Sequence, residues 1–302
     1  MVKNRQKGIY LIILTAIISG LAIFINKFGV NNLDPFVFTG LKNSLVAVFL
    51  SALLLTTKQV NKFKSITLKN WIFLILIGLF GGSIPFLLFF KGLSLTTAPA
   101  ASFIHKNMFL LIAVLAPIIL KEKVNKNFFI IALLLVLGNS FLLNKAFPIT
   151  MSYGNILIFM ATFFWALENI IAKKVLKLIP PETVAWARMF FGSLIILLFL
   201  FFSQKASLTI TTLSHHFSWI LITSMILLAY VLTWYQGLKY LPVTLASFIL
   251  TLGLPITLLL SLSSQSFISV KELMGIILII LAVVISTSFV KKNYYSEFKC
   301  WE

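Results

Sequence analysis

Acidic residues are scarce in this chain. Seven Asp and Glu stand against 25 Lys and Arg in 302 residues, with three histidines and one cysteine. The lone Cys300 sits in the polar C-terminal tail, which excludes an intramolecular disulfide and makes a cysteine-based metal centre unexpected. So few acids and histidines leave little material for catalysis by clustered carboxylates or imidazoles, and His215 and His216 fall in a short gap between apolar runs. There is no Gly-x-x-x-x-Gly-Lys-Ser/Thr loop to cradle phosphates, so ATP is not expected as a direct energy source. Charged residues of both signs make up only 11% of the chain, well below the roughly 25% usual in soluble domains.

Apolar residues are in excess. Hydrophobic residues account for 60% of the sequence and the mean hydropathy is +1.05. A chain of this composition uses lipid as its solvent, and its length accommodates ten crossings of about 20 residues each. The apolar runs place helices near 8–27, 35–55, 71–90, 98–119 and 128–144, then near 153–172, 183–203, 217–236, 243–263 and 272–290. Continuous apolarity without period-2 alternation favours helices over barrel strands. Lys3, Arg5 and Lys7 precede the first run, as in a signal peptide, but that run continues to about Ile25 without a small-residue cleavage site. It reads as a retained first span.

The net charge of +18 lies in the gaps between runs. With the N-terminus inside, the inner gaps hold seventeen basic residues: Lys3, Arg5, Lys7, Lys58, Lys62, Lys64, Lys69, Lys121, Lys123, Lys126, Lys173, Lys174, Lys177, Lys239, Lys291, Lys292 and Lys299. The outer gaps hold five: Lys27, Lys91, Lys145, Lys205 and Lys271. That bias predicts both termini on the cytoplasmic side, where basic loops meet anionic headgroups. The basic balance therefore points to the lipid bilayer as partner and not to nucleic acid.

The two halves read alike. Gly92-Leu93 with Ala101-Ser102-Phe103-Ile104 recurs as Gly237-Leu238 with Ala246-Ser247-Phe248-Ile249, an offset of 145, and Pro35 with Lys42 recurs as Pro181 with Arg188 at 146. The expected architecture is all-α and integral to the membrane, with ten transmembrane helices in two inverted five-helix repeats. Residues 1–144 form the first repeat, 145–152 a connecting loop, 153–290 the second repeat and 291–302 a cytoplasmic tail. Five spans per repeat insert the second copy upside down, which is the architecture of a carrier with its site between the halves near mid-membrane.

Over nearly the whole chain the sequence resembles the drug/metabolite transporter superfamily, in its ten-helix EamA-type branch. The resemblance rests on Pro35/Lys42 and Pro181/Arg188, on the Gly-Leu turn after the third helix of each repeat, and on Pro-x-x-x-x-Glu from Pro117 to Glu122. The second repeat departs from it, with Phe267 where the acid belongs and Glu272 nearby; Gly275 has Ile130 as its counterpart. The resemblance implies a secondary transporter of the cell membrane that moves a small-molecule solute by alternating access. Members are mostly exporters of amino acids and other small metabolites, driven by proton exchange or acting as facilitators. A multidrug or cation exporter of the same fold is the second reading. A membrane enzyme and a non-transporting scaffold are the competing classes. No cofactor, metal or catalytic residue is expected, and the sequence sets no oligomeric state.

Ionisable residues inside bilayer helices cost roughly 2.5–3.5 kcal/mol each on insertion scales, so each needs an explanation. Glu168 and Arg188 lie at similar depth on consecutive helices, which reads as adjacent antiparallel neighbours; they form either a plain structural ion pair or a proton-coupling centre. Lys42, the counterpart of Arg188, faces Ala22 where Glu168 would stand. It either reaches the outer interface or lines an aqueous cavity. His105-Lys106-Asn107 is the most polar triplet in any span, with Leu250-Thr251-Leu252 as its counterpart. At about 12–15 Å from the outer end, Lys106 is too deep to snorkel easily. It becomes the expected counter-ion for a carboxylate-bearing solute, while His105 also reads as a helix–helix hydrogen-bonding residue. Trp165, Tyr230, Trp234 and Tyr235 offer an aromatic lining, against the plain alternative of interfacial anchors. Ser19, Asn26, Ser83, Ser102, Ser247 and Thr251 read as packing devices. Gly81-Gly82 with Pro85, and Gly253 with Pro255, mark bends.

Overall fold

A computed structural model describes residues 2–122, 126–143, 151–262 and 268–293. Among the described residues ten long helical segments follow one another: α1 (Val2–Asn32), α2 (Pro35–Thr56), α3 (Leu68–Ser94), α4 (Ala98–Leu120), α5 (Lys126–Phe141), α6 (Tyr153–Val175), α7 (Pro181–Phe202), α8 (Ala206–Tyr240), α9 (Val243–Ser261) and α10 (Val270–Asn293). Among the described residues, nine are long and apolar enough to cross a bilayer, and α5 is a shorter apolar helix. Most of the expected connecting loop 145–152 and tail 291–302, and Phe267, Lys123 and Cys300, lie outside the described residues.

The helix contacts map onto themselves when the halves are exchanged. The first helix of each half packs on the third helix of the other, as α1 on α8 and α6 on α3. The second, fourth and fifth helices pack on their own counterparts: α2 on α7, α4 on α9, α5 on α10. Glycines set two of these seams. A Cβ on Gly92 would come within 2.6 Å of the Gly154 carbonyl, and one on Gly237 within 2.6 Å of Ile12 and 3.3 Å of the Gly8 carbonyl. Close backbone approach through small residues is how helices associate where lipid removes the hydrophobic drive.

Matched lysines fasten the helix ends. Lys27 donates to the carbonyls of Leu93 (2.9 Å) and Ser94 (3.4 Å), and Lys173 donates to those of Leu238 (2.8 Å) and Lys239 (3.4 Å). Each satisfies orphan carbonyls at the C-terminal end of a helix and complements its dipole. Glu122 performs the opposite task across the halves. Its carboxylate accepts from the backbone N–H of Val243 (2.9 Å) and Thr244 (3.4 Å) and from the Thr244 hydroxyl (2.7 Å), capping α9.

Four helices are irregular along their length, α3 and α9 beside the glycines that mark bends. α3 contains a π segment at Gly78–Ser83. α4 is interrupted at Asn107, between Ala98–Lys106 and Met108–Leu120. α9 is interrupted at Thr251 and Leu252, between Val243–Leu250 and Gly253–Ser261. α8 extends well beyond the expected 217–236 as two helical stretches that meet at a kink, where His216 leaves helical geometry (φ −125°, ψ 24°), so the expected short gap there, with His215 and His216, is a break within a longer helix.

Candidate functional site

The π segment of α3 creates the central cluster. Widening a helix by one residue per turn frees carbonyls from their usual i+4 partners, and buried side chains use them here. The Gly81 carbonyl accepts from Trp165 Nε1 (3.0 Å) and from Arg188 Nε (3.1 Å). The Gly82 carbonyl accepts from Asn43 Nδ2 (3.1 Å), and Ser83 Oγ donates back to the Leu79 carbonyl (2.9 Å). The two glycines are required by space: a Cβ on Gly81 would meet Glu168 Cγ at 2.5 Å, and one on Gly82 would meet the Arg188 carbonyl at 1.9 Å.

Through this gap Glu168 of α6 and Arg188 of α7 meet. They are not on directly adjoining helices, as the sequence led us to expect; α3 packs against both α6 and α7, and its bare glycine backbone lets the side chains reach each other. Arg188 Nη1 lies 3.8 Å from Glu168 Oε2. Tyr235 of α8 bridges them, donating to Glu168 Oε1 at 2.5 Å and accepting from Arg188 Nη1 at 3.4 Å. Glu168 is fully buried, and its Oε2 has no hydrogen-bond donor. The Arg188 guanidinium also lies over the Phe86 and Tyr235 rings, 5.6 and 5.8 Å from their centroids.

Aromatic side chains line this cluster. His105 packs against Trp165, with ring centroids 4.8 Å apart, and against Phe89 at 5.6 Å; its Nδ1 is buried without a partner. Trp234 donates to Asn169 Oδ1 at 2.8 Å and stacks with Tyr230 at 6.5 Å. Of the four tryptophan and tyrosine positions named for the site, Trp165, Trp234 and Tyr235 are buried and Tyr230 is partly buried.

The other expected residues lie apart from this cluster. Lys106 turns toward α1 and donates to Ser19 Oγ at 2.5 Å, beside the α9 interruption at Gly253. Lys42 is 1% exposed, so it does not reach the outer interface. Its ammonium donates to Asn26 Oδ1 (3.1 Å) and sits 3.9 Å from the Phe90 ring centroid and 5.1 Å from that of Phe38. Asn107 faces α5: it donates to the Phe103 carbonyl and accepts from Asn139 Nδ2 at 3.1 Å. Asn169 and the Gly81 carbonyl are members that sequence reading missed. Asn169 had one available signal, its place beside Glu168 on a span face rich in polar residues.

A ten-helix protein of two like halves, with the fourth helix of each half interrupted at their contact and the buried Lys106 beside the breaks, has the architecture of a membrane carrier. The chain belongs to the EamA-like transporter family, whose model matches residues 6–144 and 152–288. It is similar to the "Uncharacterized transporter YyaM" of Bacillus subtilis (strain 168), with 27% identity over 97% of each chain. A crystal structure of a protein chain shares the fold at a TM-score of 0.72 with 17% identity, covering 95% of this chain and 99% of the other. The protein is therefore a multi-pass membrane transporter of the drug/metabolite superfamily.

Proposed function

We propose that this transporter moves a small carboxylate-bearing metabolite, an amino acid or organic acid, across the cytoplasmic membrane by alternating access, in the direction of export. The observation that carries this reading is the matched interruption of α4 at Asn107 and α9 at Leu252, with His105 and Lys106 at the break. Discontinuous helices at the interface of two repeats are where carriers place their solute. Lys106 supplies a buried ammonium with no carboxylate partner among the described residues, which favours an acidic solute over a cationic one. Glu168 already has Arg188 and Tyr235, so it is a poor counter-ion for a cationic drug.

Proton exchange is the coupling that the cluster supports. One oxygen of Glu168 accepts from Tyr235, and the other, without a donor, is where a proton would reside during the cycle. Rocking of the two five-helix units would switch access, since the α2–α7, α4–α9 and α5–α10 contacts all lie between them.

The test is flux. Purified protein in proteoliposomes should exchange labelled amino or organic acids, and Lys106→Ala should lose most of that exchange. Transport of cations alone, with Lys106→Ala unaffected, would refute the carboxylate reading. Glu168→Gln should remove dependence on a proton gradient; retained dependence would refute the coupling role. Orientation has its own check: with both termini inside, a membrane-impermeant maleimide should leave Cys300 unlabelled in intact cells and label it after lysis.

A further inference from the structure

Among the described residues, well inside the spans, are three buried cations, Lys42, Lys106 and Arg188, and one buried carboxylate, Glu168. Arg188 and Glu168 compensate each other. Lys42 and Lys106 have no carboxylate within ion-pair distance among the described residues; each has one neutral oxygen, and both oxygens belong to α1. Lys42 Nζ donates to Asn26 Oδ1 at 3.1 Å and Lys106 Nζ to Ser19 Oγ at 2.5 Å. Ser19 and Asn26 are seven residues apart, two turns of one helix face, and so about 10 Å apart along the axis. The same face of α6 carries Trp165 and Ala172 at the matching places, so the arrangement belongs to one half only.

We infer that this face of α1, with Lys42 and Lys106, is a two-point anion site, and that the solute carries two carboxylates spaced as in a four- or five-carbon dicarboxylate. The inference deepens the carboxylate reading above and rests on it. Two uncompensated ammoniums in a low-dielectric interior each cost several kcal/mol. A monoanion would neutralise one of them, and a dianion neutralises both without disturbing the Arg188–Glu168 pair. The spacing sets the length. With the ammoniums set apart by the same rise of about 10 Å as the α1 residues that hold them, charge-assisted contacts of about 2.8 Å at each end leave about 4–5 Å between the nearest carboxylate oxygens. Succinate and glutarate bridge that gap, oxalate is too short, and butyrate has only one end to offer.

The experiment is counterflow in proteoliposomes holding the full chain, with butyrate, oxalate, succinate, glutarate and butylamine as competing solutes at equal concentration. Succinate and glutarate should compete about tenfold or more better than butyrate and oxalate, as expected when a buried polar group is left unpaired by the shorter or singly charged acid. Lys42→Gln and Lys106→Gln should each erase the preference for the dicarboxylates over butyrate while thermal unfolding shows the fold intact. If wild-type protein takes butyrate as well as succinate, the two-point site is wrong and the carboxylate reading stands. If it takes butylamine and no acid, both fall. A folded Lys42→Gln protein that keeps the dicarboxylate preference also overturns the site; should that variant fail to fold, the wild-type series decides alone.

Discussion

Lys42 and Arg188 occupy the same place in the two halves and have different surroundings. Arg188 has a carboxylate, Glu168, and a phenol, Tyr235, together with the Gly81 carbonyl. At the matching places Lys42 has Ala22 and Phe90, and its ammonium rests on an aromatic face and one amide oxygen. The scaffold is duplicated while the charge chemistry is not. One half carries a compensated pair, and the other a buried cation with no carboxylate within ion-pair distance among the described residues.

The largest effect expected from breaking this comparison is at Arg188. Arg188→Met strands Glu168 as a buried, unpaired carboxylate and should cost about 3–5 kcal/mol, read as a large fall in thermal stability in detergent. Lys42→Met removes a buried charge that has no acid to strand, and should be neutral or stabilising in the same assay. Equal losses at both positions would show that the two environments are not electrostatically different. Tyr235→Phe sharpens the contrast by making the second half resemble the first. It deletes a hydrogen bond to a charged group, worth about 1.5–3 kcal/mol, and unfolding measurements should register it without the collapse expected for Arg188→Met.

The helix ends provide smaller tests. Glu122→Ala removes the cap that the first half supplies to α9 and should cost about 1 kcal/mol. At the start of α2, Asp34 accepts from the N–H groups of Phe36 (3.0 Å) and Val37 (3.1 Å) and pairs with Lys205 of the other half. Burial alone would raise its pKa, but the Lys205 ammonium and the two N–H bonds outweigh that and hold the carboxyl below its ordinary value. A carboxyl with a depressed folded-state pKa stabilises the protein above its unfolded-state pKa, and that contribution disappears as pH falls through the folded value. Asp34→Asn should therefore lower the melting temperature slightly at neutral pH, by an amount typical of exposed pairs; the difference from wild type should start to shrink as pH falls to about 4 and vanish only below the depressed folded-state value. A difference that persists in acid would assign the effect to capping geometry instead of charge.

Much of this was legible without coordinates. The Pro35/Lys42 and Pro181/Arg188 spacing marked equivalent helices, and α2 and α7 do pack on each other. Gly81-Gly82 marked a bend, but two glycines encode available space and not hydrogen-bond register, so the π turn and its freed carbonyls were not readable. The matched lysines Lys27 and Lys173 recur at the same offset of 146 as Lys42 and Arg188. They looked like loop charges because the carbonyls they bind lie on another helix. His215 and His216 looked like a short loop, and the backbone does leave helical geometry at His216, but a polar gap does not reveal that helix also lies on its N-terminal side from Ala206.

By itself the sequence determined that the chain lives in lipid, that it crosses about ten times, and that it is built twice. Run length, charge placement and internal similarity are properties of one dimension, and the bilayer turns them directly into architecture. Which charges meet was decided only in three dimensions. A helix turns about 100° per residue, so a small change in packing or register decides which face a side chain joins. The meeting of Glu168, Arg188 and Tyr235 depends on a glycine-backed gap in α3, which contributes a backbone carbonyl and the Phe86 ring but no charged side chain.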